Sequence, residues 1–473
     1  MINNPKKNRN KILYIPLEIF DREIDGGLLL AFEAVKRNWE VIIGSQERII
    51  NNIEKNLPGV YFLKHITPGQ INIQKRIFNA GNIMFVQDQE GLLQRPGLEY
   101  KIRFSNSSIS STKKIFFWGE QQKKDFLDAF GTKYNSKCIV TGSPRADHWE
   151  LIAREDNNSD KRYILVATSF SHENHALGDK GQYNLLRDVA GVKFGANSSK
   201  SIDEYFEAMF KLGSYLIPFY KKLILDLSKR FKNEKIILRP HPSESLEMWS
   251  NLTSKLDNVE IRTDGTIIDW LKTSKLLIQY GSSCAIQANI LKVPVISLIP
   301  KLNRLLRKYD LLFARKASIV CEDNESVIST CEKLINGIKT YESENDKNLD
   351  KLIFSRKTVD SASRILDEIE KTFRRNKKVK RIKDGTALSY KFSKFKQRIM
   401  LLVSVLPLWD KIAPPKYQHV SWSKHKNYNK RKQPRLEIEK FKSNLQSMLE
   451  ISDENLRIEV KTYLKDVYKL TKK

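Results

Sequence analysis

The chain has 473 residues, of which 40% are hydrophobic and 29% charged, with a formal net charge of +28. That length favours two domains over one, and that composition is globular and excludes a wholly disordered chain. Four cysteines (Cys138, Cys284, Cys321, Cys331) are scattered with no CxxC pair, which argues against a disulfide framework or structural zinc and fits a reducing compartment.

Charge is unevenly spread. Residues 371–473 hold 28 basic and 9 acidic side chains, so about +19 of the +28 lies there. Such a segment attracts nucleic acid or an anionic membrane surface. The first residues are polar and basic, and the apolar run that follows is broken by Pro16 and Glu18. Neither a signal peptide nor a spanning apolar segment is read, so a cytoplasmic protein is expected.

In chain order, Ile12–Ile15 reads as a buried strand, Glu18–Gly27 as a polar loop, Leu28–Arg37 as a helix and Glu40–Gly44 as the next strand. This is a βαβ unit. Further strands are predicted at Val60–Leu63, Ile83–Val86, Ile115–Trp118 and Lys137–Val140. A polar stretch, Arg154–Lys161, reads as a linker. A second alternation runs through Arg162–Thr168, a long helix near Ile202–Arg230, then Lys235–Leu238, Val259–Arg262, Leu276–Gln279 and Val293–Ile299. After residue 341 come a helix over Leu349–Arg375, a basic run at 374–381 and an apolar run, Ile399–Trp409. That run is too short to span a bilayer; its lysine- and arginine-rich flanks suit either an interfacial anchor or a core helix with lysines on its wet face. Arg435–Leu470 reads as one or two amphipathic helices.

The expected fold is therefore α/β, with two Rossmann-like doubly wound parallel sheets facing a cleft and a basic helical C-terminal extension. The expected boundaries are 1–152 for the acceptor-side domain, 153–345 for the donor domain, 346–375 for a closing helix and 376–473 for a possible membrane-associating extension.

The chemistry-bearing residues fall where strands end, which is where open α/β sheets bind ligands. Arg239-Pro240-His241-Pro242-Ser243-Glu244 follows one strand and Gly281-Ser282-Ser283 another. The prolines stiffen a turn that aims His241, and the cation, the imidazole and the small hydroxyls suit a phosphate. His241 could also protonate a leaving phosphate. Asp88 and Glu90 follow a strand of the first domain and could supply a base or a nucleophile. Glu18, Arg22, Glu23, Asp25 and Gly26 sit on the first loop, where a carboxylate could orient an acceptor hydroxyl. His172-Glu173-Asn174-His175 lacks the helical spacing of a metal motif; His175 reads instead as a donor contact, and no metal is expected.

At these residues the chain resembles the bacterial surface carbohydrate biosynthesis proteins, a family of GT-B glycosyltransferases. The resemblance spans roughly residues 11–300. It rests on Tyr14-Ile15-Pro16-Leu17-Glu18 with Arg22-Glu23-Ile24-Asp25-Gly26, then Phe117-Trp118-Gly119-Glu120 and Thr141-Gly142-Ser143-Pro144-Arg145. The series continues with Arg239–Glu244, Asp264-Gly265 with Trp270, and Gly281-Ser282-Ser283. The His-Pro turn and paired serines are also similar to those of capsule Kdo transferases.

That similarity implies a retaining enzyme using a CMP-linked donor, with Asp88 or Glu90 as nucleophile and His241, Ser282 and Ser283 at the phosphate. Arg239 and Arg145 would suit both a phosphate and a sugar carboxylate. The chain departs from the pattern at Gln287, where an acid is usual, at Lys292, where glycine is expected, and at Gln89 beside Asp88. The expected partners are a nucleotide sugar, a lipid-linked or oligosaccharide acceptor, and the inner face of the cytoplasmic membrane through the basic C-terminal region. The motifs argue against nucleic acid. No cofactor is expected beyond the donor itself. The competing readings are a CDP-linked polyol-phosphate transferase, a sugar-nucleotide epimerase, or a non-catalytic nucleotide- or nucleic-acid-binding protein.

Overall fold

The structure is a computed structural model that describes residues 10–92, 98–155, 160–178, 181, 200–301, 306–307, 312–338, 346–376, 381–403, 436–452 and 456–473. Its strands form two sheets.

The first sheet holds β1 (Ile12–Leu17), β2 (Glu40–Ser45), β3 (Val60–Leu63), β4 (Ile83–Gln87), β5 (Lys114–Phe117) and β6 (Cys138–Val140). Their spatial order is 2-1-3-4-5-6, all parallel. The second sheet holds β7 (Tyr163–Ala167), β8 (Lys235–Arg239), β9 (Val259–Ile261), β10 (Ser274–Gln279), β11 (Val295–Leu298) and β12 (Ile319–Cys321). Read from one edge, its order is 9-8-7-10-11-12, again parallel. Both sheets are doubly wound. Strand order reverses beside β1 in the first and between β7 and β10 in the second, and the crevices at such reversals are where ligands lodge.

The central strands are apolar throughout because helices cover both faces. All six residues of β1 are buried, as are all five of β7. In the second unit, the Lys200–Arg230 helix places Ala208, Leu212, Leu216, Tyr220, Leu223 and Leu227 against the sheet at helical spacing.

Three expectations change. The predicted loop Glu18–Gly27 is mostly helix, since the first helix runs Phe20–Lys36. Two adjacent glycines would normally weaken a helix. Here a Cβ on Gly26 would lie 2.7 Å from Arg145 Cγ, and one on Gly27 would lie 3.2 Å from Ile43 Cδ1. The glycines allow close packing that outweighs their low propensity.

The single helix expected over Leu349–Arg375 is broken into Asp346–Leu352, a 3₁₀ turn at Arg356–Thr358, and Ser361–Arg375. The last of these returns to the first unit, burying Ile365, Leu366, Ile369 and Phe373 in its core.

The helical reading of Arg435–Leu470 holds for Ile438–Ile451 only. Beyond it, β13 (Ile458–Leu464) and β14 (Val467–Lys472) form an antiparallel hairpin, and β14 pairs antiparallel with β2. The physical cause is the period-2 pattern around a two-residue turn, Lys465-Asp466, in which Asp466 takes φ +57. Val467, Tyr468 and Leu470 are fully or nearly fully buried. The last strands are thus part of the first sheet and not of a separate extension. The apolar run Ile399–Trp409 is described only to residue 403, at the end of the Thr386–Val403 helix. Residues 377–380 of the basic run and 156–159 of the linker lie outside the described residues.

Candidate functional site

The loops after β7, β8 and β10 line one side of a cavity of about 500 Å³. Residues of the first unit line the other side: Arg22, Asp25, Gly26, Glu90, Arg103, Arg145 and His148. Tyr205, Phe206, Met209 and Leu212 of the long helix add an apolar wall.

The β8 loop is organised by Glu244. Its carboxyl accepts from the Thr168 hydroxyl (2.9 Å), the His241 backbone N–H (3.0 Å) and the Trp249 indole (3.0 Å), and it is fully buried. Burial raises its pKa, and these donors oppose the rise. Glu244 therefore belongs to the scaffold of the turn and does not line the cavity, contrary to the sequence expectation of a nucleotide contact. A buried acid at this position costs least when several donors converge on it. His175 departs in the same way. It is 4% exposed, its Nδ1 accepts from the Leu177 N–H at 3.0 Å, and it does not line the cavity. His172 lines it instead.

His241, Pro242 and Ser243 do line the cavity. The Ser243 N–H donates to His241 Nδ1 (3.2 Å), so the neutral ring carries its proton on Nε2, a donor suited to a phosphate oxygen. Arg239 donates to the carbonyls of Asp264 (2.7 Å) and Gly265 (2.6 Å), tying that loop to the strand end. Burial lowers its pKa, and no carboxylate lies within 4 Å of it among the described residues.

Gly281 takes φ +58, a left-handed turn that favours glycine. The Ser282 N–H donates to Gln279 Oε1 (2.9 Å), and Ser282, Ser283 and Gln287 line the cavity. Lys292 stands where glycine was expected and takes φ +57, so the turn keeps its left-handed form at a cost of about 1 kcal/mol.

On the opposite side, Arg145 occupies the space that Gly26 leaves. It is 9% exposed and lies over the rings of Trp118 (5.7 Å) and Trp149 (5.5 Å), with Nη1 donating to the Gln89 carbonyl (2.7 Å). Among the described residues its buried Nε has no hydrogen-bond partner. Burial first and Arg22 second lower its pKa to about 9. Among the described residues no carboxylate lies within 4 Å of it.

Asp88 and Glu90 separate into two roles. Asp88 is 1% exposed, accepts from Arg103 Nε (2.6 Å) and Nη2, and does not line the cavity. Glu90 does line it, held by Arg103 (3.0 Å) and Arg22 (3.2 Å). Burial favours its neutral form, but Arg103 and then Arg22 dominate and hold it far below the usual carboxylate range.

Of the first-loop residues, Arg22, Asp25 and Gly26 line the cavity. Glu18 and Glu23 are instead drawn into an ion cluster with Lys64, Glu23 at 3.0 Å. Asp25 Oδ2 lies 3.5 Å from His148 Nδ1. Burial raises the pKa of Asp25 against the pull of His148, and burial lowers that of His148 against the pull of Asp25. A carboxylate of raised pKa held beside an imidazole and facing a cavity can take a proton from a hydroxyl.

Sequence reasoning missed His148, Arg103 and His172. His148 had a usable signal: it falls three residues after Arg145 in the Pro144–Arg154 helix, on the same face. Among the described residues, no group of three His, Cys, Asp or Glu side chains is placed to hold a metal.

No family model and no curated protein matches the chain. Among solved structures, the chain is similar to a variant of the wall teichoic acid polymerase TagF, at 15% identity over 79% of this chain and 90% of that one, with TM-score 0.49. It is also similar to the Methanocaldococcus jannaschii UDP-GlcNAc 2-epimerase in complex with UDP-GlcNAc and UDP, at 16% identity, 76% and 99% coverage and TM-score 0.44. A third similar structure is S. aureus MnaA with UDP, at 12% identity, 78% and 97% coverage and TM-score 0.45.

Proposed function

We propose that this chain is a GT-B glycosyltransferase of bacterial surface polysaccharide biosynthesis. It would transfer an acidic sugar of the Kdo or nonulosonic type from a CMP-linked donor to a lipid-linked or oligosaccharide acceptor. One observation carries the reading. Two guanidiniums that have no carboxylate within 4 Å among the described residues, Arg239 and Arg145, line opposite sides of one cavity that also holds His241, Ser282, Ser283 and the Asp25–His148 pair. A CMP-linked sugar acid presents two separated anions, a phosphate and a carboxylate, which matches two separated cations.

In this reading His241, Arg239 and the serines hold the phosphate and stabilise the charge that develops on it as it leaves. Arg145 holds the sugar carboxylate. Asp25, a base strengthened by the burial that raises its pKa, receives the proton of the acceptor hydroxyl, and His148 orients it. Glu90 stays ionised beside the reacting carbon, where it can stabilise positive charge or attack as nucleophile; Asp88 fixes Arg103 beneath it.

Melting curves with CMP, CDP and UDP test the donor side, because a ligand that binds only the native state raises Tm. The reading expects CMP to stabilise most and a CMP-linked sugar acid to release CMP when acceptor is present. Activity confined to CDP-glycerol would overturn it in favour of a polyol-phosphate transferase.

A further inference from the structure

The Thr386–Val403 helix has two unlike faces. Tyr390 turns toward the first unit, with the Arg76 guanidinium 4.1 Å from its ring and its hydroxyl 3.5 Å from Asn51 Oδ1. Just before the helix, the Ile382 N–H donates to the Asn79 carbonyl at 2.8 Å. The helix is thus fastened to the acceptor-side unit. On the opposite face stand Leu388 (74% exposed), Phe392 (71%), Phe395 (62%) and Ile399 (41%). Steps of four, three and four residues put them in one stripe. Solvent-exposed phenylalanines in a row carry an unfavourable hydration cost unless something covers them.

We infer that this stripe is the surface by which the protein docks on an anionic lipid bilayer. Charge complementarity selects that occupant. Lys391 and Lys394 are exposed in the same helix, Lys396 and Arg398 follow in the sequence, and no acidic residue occurs between Asp384 and Asp410. A cationic helix with an apolar stripe lies flat at the headgroup level, phenylalanines down. No helix among the described residues is long and apolar enough to cross a membrane, so contact of this kind is interfacial. The inference deepens the proposed function by bringing the acceptor-side unit to a lipid-linked acceptor, yet it stands on the helix alone.

The experiment is co-sedimentation of the full chain with vesicles of phosphatidylcholine, with and without phosphatidylglycerol. Wild type is expected to pellet with the phosphatidylglycerol vesicles and to be released by salt. The Phe392→Ser/Phe395→Ser variant, changed only at exposed positions, keeps its Tm and partitions about tenfold less or weaker. Lys391→Glu/Lys394→Glu loses the preference for the anionic vesicles. The inference is overturned if wild type ignores both vesicles, or if the double-serine variant binds as wild type does. It is also overturned if wild type is a dimer that the serine substitutions split, because a second copy then covers the stripe. Transfer to a soluble acceptor, measured alongside, separates the two ideas: intact transfer without vesicle binding sinks the docking surface alone, and vesicle binding without transfer sinks the enzyme reading alone.

Discussion

Replacing Arg145 with methionine probes whether the cavity is built to bind an anion. The guanidinium is charged at neutral pH but sits in a setting that lowers its pKa to about 9, through burial and then Arg22. At about 1.4 kcal/mol per pKa unit, holding that charge costs the native state up to roughly 5 kcal/mol. Because the folded value lies below the unfolded one, the cost is full below about pH 9 and is relieved as pH rises above it.

Methionine has a similar length and no charge, but it leaves the Gln89 carbonyl without its donor, which costs about 1–3 kcal/mol. A net stabilisation of roughly 2 kcal/mol is expected, or a Tm higher by about 4–6 °C for a unit of this size. The assay is a pair of melting curves at pH 7, with and without a CMP-linked sugar acid. R145M should melt higher than wild type when empty and lose most of the ligand-induced shift. If R145M melts several degrees lower when empty, the two tryptophans and the Gln89 carbonyl already satisfy the cation, and the argument that it awaits an anion fails.

Asp25→Asn and His148→Gln should each lower kcat by roughly 10²–10⁴-fold with little change in nucleotide affinity. Wild-type kcat/KM should fall at acid pH as the raised Asp25 carboxyl protonates, and that limb should be missing in D25N; an unchanged pH profile would remove Asp25 as the base. Asp88→Ala takes one of two carboxylates from the partly buried Arg103, Glu90 being the other, and should cost about 1–3 kcal/mol in a urea melt, whereas Glu90→Gln should keep its stability and lose turnover. Equal Tm loss in both would refute the division of roles. Burial raises the Asp147 carboxyl to about 7, against donors from the Ser361 N–H (2.9 Å) and hydroxyl. The folded state therefore binds an extra proton between about pH 4 and 7, so stability falls as pH rises through that window. Asp147→Asn should gain on wild type at about pH 8 relative to about pH 5; a gap that does not change with pH would show that Asp147 does not titrate there.

The doubly wound sheets were legible because buried parallel strands are apolar along their whole length. Val60–Leu63 was bounded as observed, and most other strands were placed within one or two residues. β12 was missed, since Ile319-Val320-Cys321 is too short to stand out as a pattern. The cavity-lining turns were legible through proline and glycine, which act locally. What escaped was fixed by distant packing. Nothing near Glu244 in sequence announces that Thr168 will donate to it, and nothing near Asp88 announces Arg103. Separating a ligand-facing carboxylate from a scaffold carboxylate needs the partner's position in space. The hairpin was misread because β13–β14, rich in lysine, has polar residues on its wet side that also fit a helical face.

The pairing of β14 with β2 sets an order for biogenesis. On the ribosome, β2 emerges early, yet its outer edge stays bare until Val467–Lys472 leaves the exit tunnel. Throughout that interval the second unit, whose strands β7–β12 are contiguous in sequence, can complete its own core. Gly44 leaves room for the Asp466 carbonyl to close against β2, where the Ser45 N–H meets it at 2.8 Å. A premature stop anywhere before residue 467 would therefore release a chain with an open strand edge, a template for self-association rather than merely a shorter chain.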